Sequence, residues 1–172
     1  MSGDDYHTNF GDLQITPRVL LSESRNFTQS FNVTFRIPTG SEDNGLGFAS
    51  VTPTWEFWAN PWSKLVLRGG AGFLLPYTDS DRTRNAFLAN FAAAYYFTPH
   101  NLTPFGDLVL YLSANLLQPI DDRGPKNTVF TLTPGFRTHL GANWYLLGGV
   151  EVVTSNPKPF DFQILGGLMK VF

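Results

Sequence analysis

The chain has 172 residues, which is enough for one domain with a single core or a single barrel. Its net charge of −2 excludes a basic surface for nucleic acid, and the absence of cysteine excludes disulfide scaffolds, thiolate metal sites and cysteine nucleophiles. Charged residues make up only 15% of the chain, against about 25% in a typical soluble domain, while aromatic residues also reach 15%. A low content of charged residues together with a high content of aromatic residues is typical of a protein that has one face in contact with lipid.

Apolar and polar side chains alternate along nine successive segments. Neighbouring side chains of a β-strand point to opposite faces, so this alternation predicts nine strands. The first and weakest segment runs from Leu13 to Leu21, and the second runs from Phe27 to Ile37. The later segments begin, in chain order, at Val51, Leu65, Phe87, Leu108, Phe130, Trp144 and Phe160. One local alternative stays open, because the alanine-rich run 86–97 also suits a buried or interfacial helix, although a membrane-spanning helix needs about 20 residues.

One face of these predicted strands is almost free of charge. In the eight stronger segments, Lys170 is the single charged residue on the apolar face. The opposite face carries charged residues that we expect to line a lumen and to set its selectivity, namely Arg36, Glu56, Arg68, Asp107, Arg137 and Glu151. In a narrow eight-stranded barrel the same residues would instead form a paired network that fills the interior. A soluble sandwich alternates in the same way with its apolar side inward, so alternation alone does not decide between them.

The connections between the segments differ in character from one end of the strands to the other. Polar and charged stretches at 38–45, 77–85 and 118–127 alternate with tighter or less charged connections near 22–26, 59–63, 99–104 and 141–143. Long outer loops opposite short periplasmic turns are typical of outer-membrane barrels. Aromatic residues gather beside the short connections, as expected of a girdle at a membrane–water interface. We predict this girdle at Trp55, Trp58, Trp62, Tyr95, Trp144 and Tyr145.

The last segment ends on Phe172, which resembles the carboxy-terminal signal that the outer-membrane insertion machinery reads. Lys170 would cost about 2–4 kcal/mol at the bilayer midplane but only about 0–1 kcal/mol near an interface, where its amine can reach water. These features predict an all-β fold, an antiparallel up-and-down transmembrane β-barrel, over residues 10–172. Residues 1–9 are expected to form a tail like an outer loop. Residues 1–5 have neither the basic start nor the apolar run of a signal peptide.

Nine segments are an odd number, whereas bacterial single-chain barrels have even strand numbers. Three interpretations remain open. The leading segment does not span, which leaves eight strands, or one segment is split, which gives ten. In the third interpretation the chain is the C-terminal part of a larger barrel, because residues 1–10 have the composition of an outer loop.

Three short motifs carry a family resemblance. They are the Gly11-Asp12 entry into a strand, the hairpin strand that ends in residues 35–40 (FRIPTG), and the terminal Phe172. Together they resemble the outer-membrane proteins named for the meta-pathway of phenol degradation. That resemblance implies a transporter with about a dozen strands, of which roughly three would precede this chain.

Nothing in the sequence indicates an enzyme. His7 and His100 lie in polar stretches and are expected to be solvated, and His139 is expected to have a structural role. No segment places a nucleophile, a base and an acid together, and no cofactor or metal is expected.

We therefore predict a pore or transport path for small, partly apolar molecules in the outer membrane of a Gram-negative bacterium. The expected partners are the lipid bilayer, the insertion machinery and a small solute, with no nucleic acid. Two alternatives are a structural or adhesive barrel with a filled lumen, and a soluble lipocalin-like barrel that binds ligand inside.

Overall fold

The protein is an all-β chain in the computed structural model, which describes residues 11–40, 47–78, 83–102, 104–121, 127–156 and 158–171. The described residues form ten strands and no helix. The strands are β1 (Leu13–Ile15), β2 (Arg18–Glu23), β3 (Phe27–Ile37), β4 (Ser50–Trp62), β5 (Leu65–Pro76), β6 (Ala86–Tyr96), β7 (Gly106–Pro119), β8 (Val129–Gly141), β9 (Trp144–Val153) and β10 (Phe162–Lys170). In that part of the chain, no helix is long and apolar enough to cross a membrane.

All ten strands belong to one antiparallel sheet in which each strand pairs with its neighbour along the chain. This arrangement confirms the predicted all-β, up-and-down architecture. The exception is at the first edge, where β1 and β2 both pair with β3, one after the other. The leading segment is thus one strand interrupted at Thr16 and Pro17, and proline cannot donate a ladder hydrogen bond.

The alanine-rich run 86–97 is a strand, so the helical alternative is wrong. Strand β6 pairs along its length with β5 on one side and with β7 on the other. These two ladders satisfy its backbone groups, which outweighs the helix propensity of its alanines.

The register of the ladders assigns every side chain to one of two faces, since directly opposed residues of antiparallel strands point the same way. We call one the apolar face. It consists of the odd-numbered residues of 27–37, 51–59, 65–75 and 87–95, and the even-numbered residues of 110–118, 130–136, 144–152 and 162–170. The intervening residues form the polar face. The predicted alternation therefore holds across the whole sheet.

The apolar face is the exposed one. Phe91, Leu112 and Ile164 are 48%, 52% and 78% exposed, whereas Asn32 and Thr131 on the polar face are 2% and 5% exposed. This is the reverse of a water-soluble domain, in which large apolar side chains are the most often buried.

The sheet curves strongly around its polar face. Trp58 of β4 and Met169 of β10, at nearly opposite ends of the strand order, line the same cavity of ≈ 320 Å³. Among the described residues, β10 pairs with β9 alone, and β1 and β2 pair with β3 alone. The described sheet is thus an open, curved wall with the form of a partial barrel.

Three aromatic side chains lie over glycines that are directly opposite them in the ladder. On the apolar face Phe57 covers Gly69 and Phe136 covers Gly148, and a Cβ on either glycine would come within 2.8 Å or 2.6 Å of the ring. On the polar face Tyr111 covers Gly135 in the same way. An aromatic ring over a strand glycine fills the space that the missing side chain leaves and helps to fix the register.

The two ends of the strands are connected differently. At one end the described connections include residues 24–26, 63–64 and 142–143, and a longer connection joins β6 to β7 there. Ala142 and Asn143 have positive φ angles of 48° and 62°, as in the hairpin turn that matches strand twist. We call this the short-turn end. The other end has longer connections, whose charged stretches at 41–46, 79–82 and 122–126 lie outside the described residues.

Candidate functional site

The candidate site is the concave polar face. All six charged residues that the sequence predicts for a lumen point to this face, each from a different strand or from the bulge that begins β7. Within the described part of the chain, none of them forms an ion pair with another of the six. Among the described residues, these charges therefore fall into separate groups.

The first group lies at the short-turn end and is organised by Asp107. The register shifts between Gly106 and Val109, and Asp107 has a positive φ of 46°, which identifies a β-bulge. The bulge turns the Asp107 carboxylate onto the polar face. There its Oδ2 atom lies 2.6 Å from Nδ1 of His100 and accepts a hydrogen bond of 3.4 Å from the Tyr145 hydroxyl.

Two histidine rings stack within this group. The ring centroids of His100 and His139 are 4.8 Å apart, and the ring of Tyr145 lies 5.0 Å from that of His139. His139 is 7% exposed, and neither of its ring nitrogens has a hydrogen-bond partner among the described residues. The prediction that His100 is simply solvated misses its pairing with Asp107 and its stacking on His139.

Arg137 closes the group toward the middle of the sheet. Its Nη2 atom donates a hydrogen bond of 3.0 Å to the Tyr96 hydroxyl, and its guanidinium lies 5.2 Å and 5.7 Å from the ring centroids of Tyr145 and Tyr96. A guanidinium stacked on aromatic faces is held in place without a carboxylate partner. Its Nε atom has no partner in the described part of the chain.

Replacing Tyr96 by Phe is expected to lower the free energy of unfolding by about 1 kcal/mol, because Arg137 loses its hydroxyl acceptor. The neighbouring Tyr95 provides the matched control. It lies on the apolar face, so Tyr95→Phe should change stability by less than about 0.5 kcal/mol. Urea unfolding of the protein in detergent or lipid would compare the two, and equal losses would contradict the role given to the Arg137–Tyr96 contact.

The cavity of ≈ 320 Å³ lies in the short-turn half of the polar face, next to this group. Its lining combines two guanidinium groups with aromatic and small apolar side chains. The lining residues are Trp58, Val66, Arg68, Ala92, Ala94, Tyr96, Val109, Tyr111, Arg137, Leu147 and Met169. Arg68 has no hydrogen bond or ion pair with any described residue.

The remaining charges are bound near the sheet edges or toward the longer connections. Glu56 forms an ion pair of 3.6 Å with Arg18, and Arg36 lies 4.0 Å from Asp12. Glu151 accepts a hydrogen bond of 2.5 Å from the Thr131 hydroxyl and a second one from the side-chain amide of Gln163. Of the six charged residues, the two that line the cavity, Arg68 and Arg137, form no ion pair with a described carboxylate.

The aromatic residues predicted for the girdle are divided between the two faces. Trp55, Tyr95 and Trp144 lie on the apolar face, and Trp62 is 70% exposed beside the β4–β5 turn. Ladder parity places the other two, Trp58 and Tyr145, on the polar face. Trp58 lines the cavity, and Tyr145 contacts Asp107.

The charged residue on the apolar face has an aromatic partner. The ammonium group of Lys170 lies 5.4 Å from the ring centroid of Trp144, directly opposite it in the ladder at the short-turn end. Phe172, the predicted insertion signal, lies outside the described residues, as do residues 1–9 of the predicted tail.

Sequence reasoning did not single out Tyr111 and Met169 as lining residues. Both lie on the polar face by simple parity, so the alternation contains the signal for them. What the sequence does not contain is the curvature that brings β4 and β10 to one cavity. Among the described residues, no group of three or more His, Asp and Glu side chains could hold a metal ion.

Comparison with known proteins gives a match to a protein family. The family model for the MetA-pathway of phenol degradation matches residues 1–156. No curated protein and no solved structure matches the chain. The family match covers most of the chain, including strands β1–β9, and it agrees with the resemblance carried by the short sequence motifs. The chain belongs to the family of the MetA-pathway of phenol degradation.

Proposed function

We propose that this protein is an outer-membrane β-barrel protein whose polar face lines a passage for small, partly apolar molecules. The observation that carries the proposal is the inverted arrangement of the two faces. Large apolar side chains cover the exposed outer surface, while Ser, Thr and Asn side chains are buried on the concave side. A bilayer is the environment in which such an outer surface is stable.

The ends of the strands support a membrane orientation. Trp62, Tyr95 and Trp144 lie toward the short-turn end, and aromatic side chains with a polar atom prefer the membrane–water interface. Lys170 lies at the same end, where its amine can reach water. By analogy with outer-membrane barrels, the short-turn end would face the periplasm, and the insertion machinery and the lipid bilayer would be its partners.

The lining of the polar face supports passage over the two alternatives. A lipocalin-like barrel turns its apolar side chains inward, whereas here they point outward. A structural barrel would have its interior filled by side chains, whereas this polar face retains a cavity with mixed apolar and charged lining. The family description names the degradation of phenol, which is itself a small aromatic compound, and this supports a small aromatic solute.

Two measurements test the proposal in sequence. Folded protein is first run on SDS gels with and without boiling. Faster migration without boiling would show that the curved sheet closes into a detergent-resistant barrel, and no shift in a protein that still needs detergent would show that this chain does not close a barrel by itself. Single-channel conductance in planar bilayers is then expected to show a water-filled path. A protein that is soluble without detergent and shows no gel shift would contradict the membrane assignment, and a heat-modifiable protein without conductance would favour the filled structural barrel.

A matched pair of substitutions on β10 links conductance to the cavity. Met169→Trp adds bulk to the cavity lining and is expected to reduce the unit conductance, whereas Leu168→Trp adds the same side chain on the apolar face and should leave it unchanged. An equal effect of the two substitutions would place the conducting path elsewhere.

A further inference from the structure

The cavity on the polar face combines two kinds of recognition surface. One wall is aromatic and apolar, with Trp58, Tyr96 and Tyr111 beside small side chains such as Ala92 and Ala94. Tyr111 lies flat against the sheet over Gly135, and its hydroxyl is 3.4 Å from the Gly148 carbonyl oxygen. The cavity volume of ≈ 320 Å³ lies at the lower end of the range for small-molecule sites. These dimensions and this lining suit a single planar ring.

The other component is positive charge. Arg68 and Arg137 both line the cavity, and no acidic side chain of the described residues does. Two carboxylates lie outside this lining. Glu56 lines an adjacent pocket together with Arg68 and forms an ion pair with Arg18, and Asp107 lies 2.6 Å from His100. Arg137 is oriented by Tyr96 and Tyr145 but retains an unpartnered Nε, and Arg68 has no polar partner among the described residues. A guanidinium without a carboxylate partner is matched in geometry to a planar oxyanion.

On the basis of the passage function proposed above, we propose that this cavity binds aryl carboxylates, with the ring against the aromatic wall and the carboxylate between Arg68 and Arg137. A neutral phenol would fill the same wall but leave the two guanidinium groups without a counter-charge. An organic cation would be repelled by them. The site thus selects the acid over the neutral aromatic compound of similar size.

The first test uses the unmodified protein, folded in zwitterionic detergent micelles, with protein-free micelles as the blank. Isothermal titration compares benzoate with phenol, which lacks the carboxylate, and with acetate, which lacks the ring. We expect benzoate to bind about tenfold more tightly than either, since a charge-assisted hydrogen bond contributes about that factor. Phenol binding as tightly as benzoate would overturn the anion site, and acetate binding as tightly as benzoate would overturn its aromatic part.

The second test removes the positive charge of Arg68, which has no polar partner among the described residues. Arg68→Gln is expected to weaken benzoate binding about tenfold and to leave phenol unchanged, and Arg68→Lys should recover most of the affinity because it keeps the charge. Arg25→Gln in the exposed β2–β3 turn provides the same change of net charge away from the cavity and should have no effect. Unchanged benzoate affinity in an Arg68→Gln protein that remains heat-modifiable would overturn the proposal. Where that variant does not fold, the ligand comparison in the unmodified protein decides.

The tests can contradict the proposed aryl carboxylate site and the proposed passage function independently of each other. Conductance without selective benzoate binding would overturn the aryl carboxylate site and leave the passage function standing. Selective benzoate binding without conductance would support the site and contradict passage.

Discussion

Phe91→Arg is expected to destabilise the protein in a bilayer by about 2–4 kcal/mol, whereas Asn90→Arg on the adjacent residue should cost less than about 1 kcal/mol. Phe91 is 48% exposed in the middle of β6 on the apolar face, and Asn90 lies on the polar face. An arginine at position 91 would enter the hydrocarbon core, while one at position 90 would face the water-lined interior. Urea titration of protein folded into vesicles gives the free energy of unfolding for both.

The two substitutions, at positions 90 and 91, distinguish an apolar face that meets lipid from one that meets water. In a water-soluble protein an exposed Phe91 would tolerate arginine with little loss, because the charge would be hydrated. Equal and small costs at positions 90 and 91 would therefore contradict a lipid-facing apolar surface. A larger cost at position 90 would mean that the two faces have been assigned the wrong way round.

Gly135→Val is expected to cost about 1–3 kcal/mol, because it adds side-chain atoms where a ring already lies. A Cβ at position 135 would overlap the ring of Tyr111 and would lie 2.7 Å from the Gly148 carbonyl oxygen. Tyr111 would have to leave the sheet surface and move into the cavity. The loss should appear in the same urea titration and also as weaker benzoate binding, since Tyr111 lines the cavity.

A double-mutant cycle identifies the cause. In a Tyr111→Ala background the ring is gone, so Gly135→Val should cost clearly less than in the unmodified protein, although the contact with the Gly148 carbonyl remains. An equal cost of Gly135→Val in both backgrounds would mean that Tyr111 does not pack on this glycine.

Much of the fold could be predicted from the sequence because both faces of nearly every strand are distinct in composition. The alternation from Phe27 onward places each strand and assigns Arg68, Arg137 and Glu151 to the polar face, as the ladders show. The same period assigns Trp58 to that face, but its position beside a short turn suggested a girdle instead. Where the alternation and the position beside a turn disagree, the alternation is the stronger signal. A shift of the register by one residue would move every side chain of the strand to the opposite face.

The remaining features depend on tertiary contacts that the sequence does not contain. The interruption at Thr16 and Pro17 is bridged by pairing of β1 and β2 to the same strand, β3. The bulge at Asp107 and its pairing with His100 depend on how residues 98–102 lie against the start of β7, where the Asp107 backbone N–H donates to the Pro99 carbonyl oxygen. The cavity depends on curvature of the whole sheet, and no local pattern specifies that curvature.

The central claim, that the apolar face meets lipid and the polar face meets water, is tested most directly by a cysteine scan of β6. The natural chain has no cysteine, so each position from Ala86 to Tyr96 can carry a single environment-sensitive thiol label in protein folded into vesicles. We expect a period of two, with labels at odd-numbered positions quenched by lipid-attached quenchers and labels at even-numbered positions quenched by aqueous iodide. Uniform quenching by iodide along β6 would contradict the account.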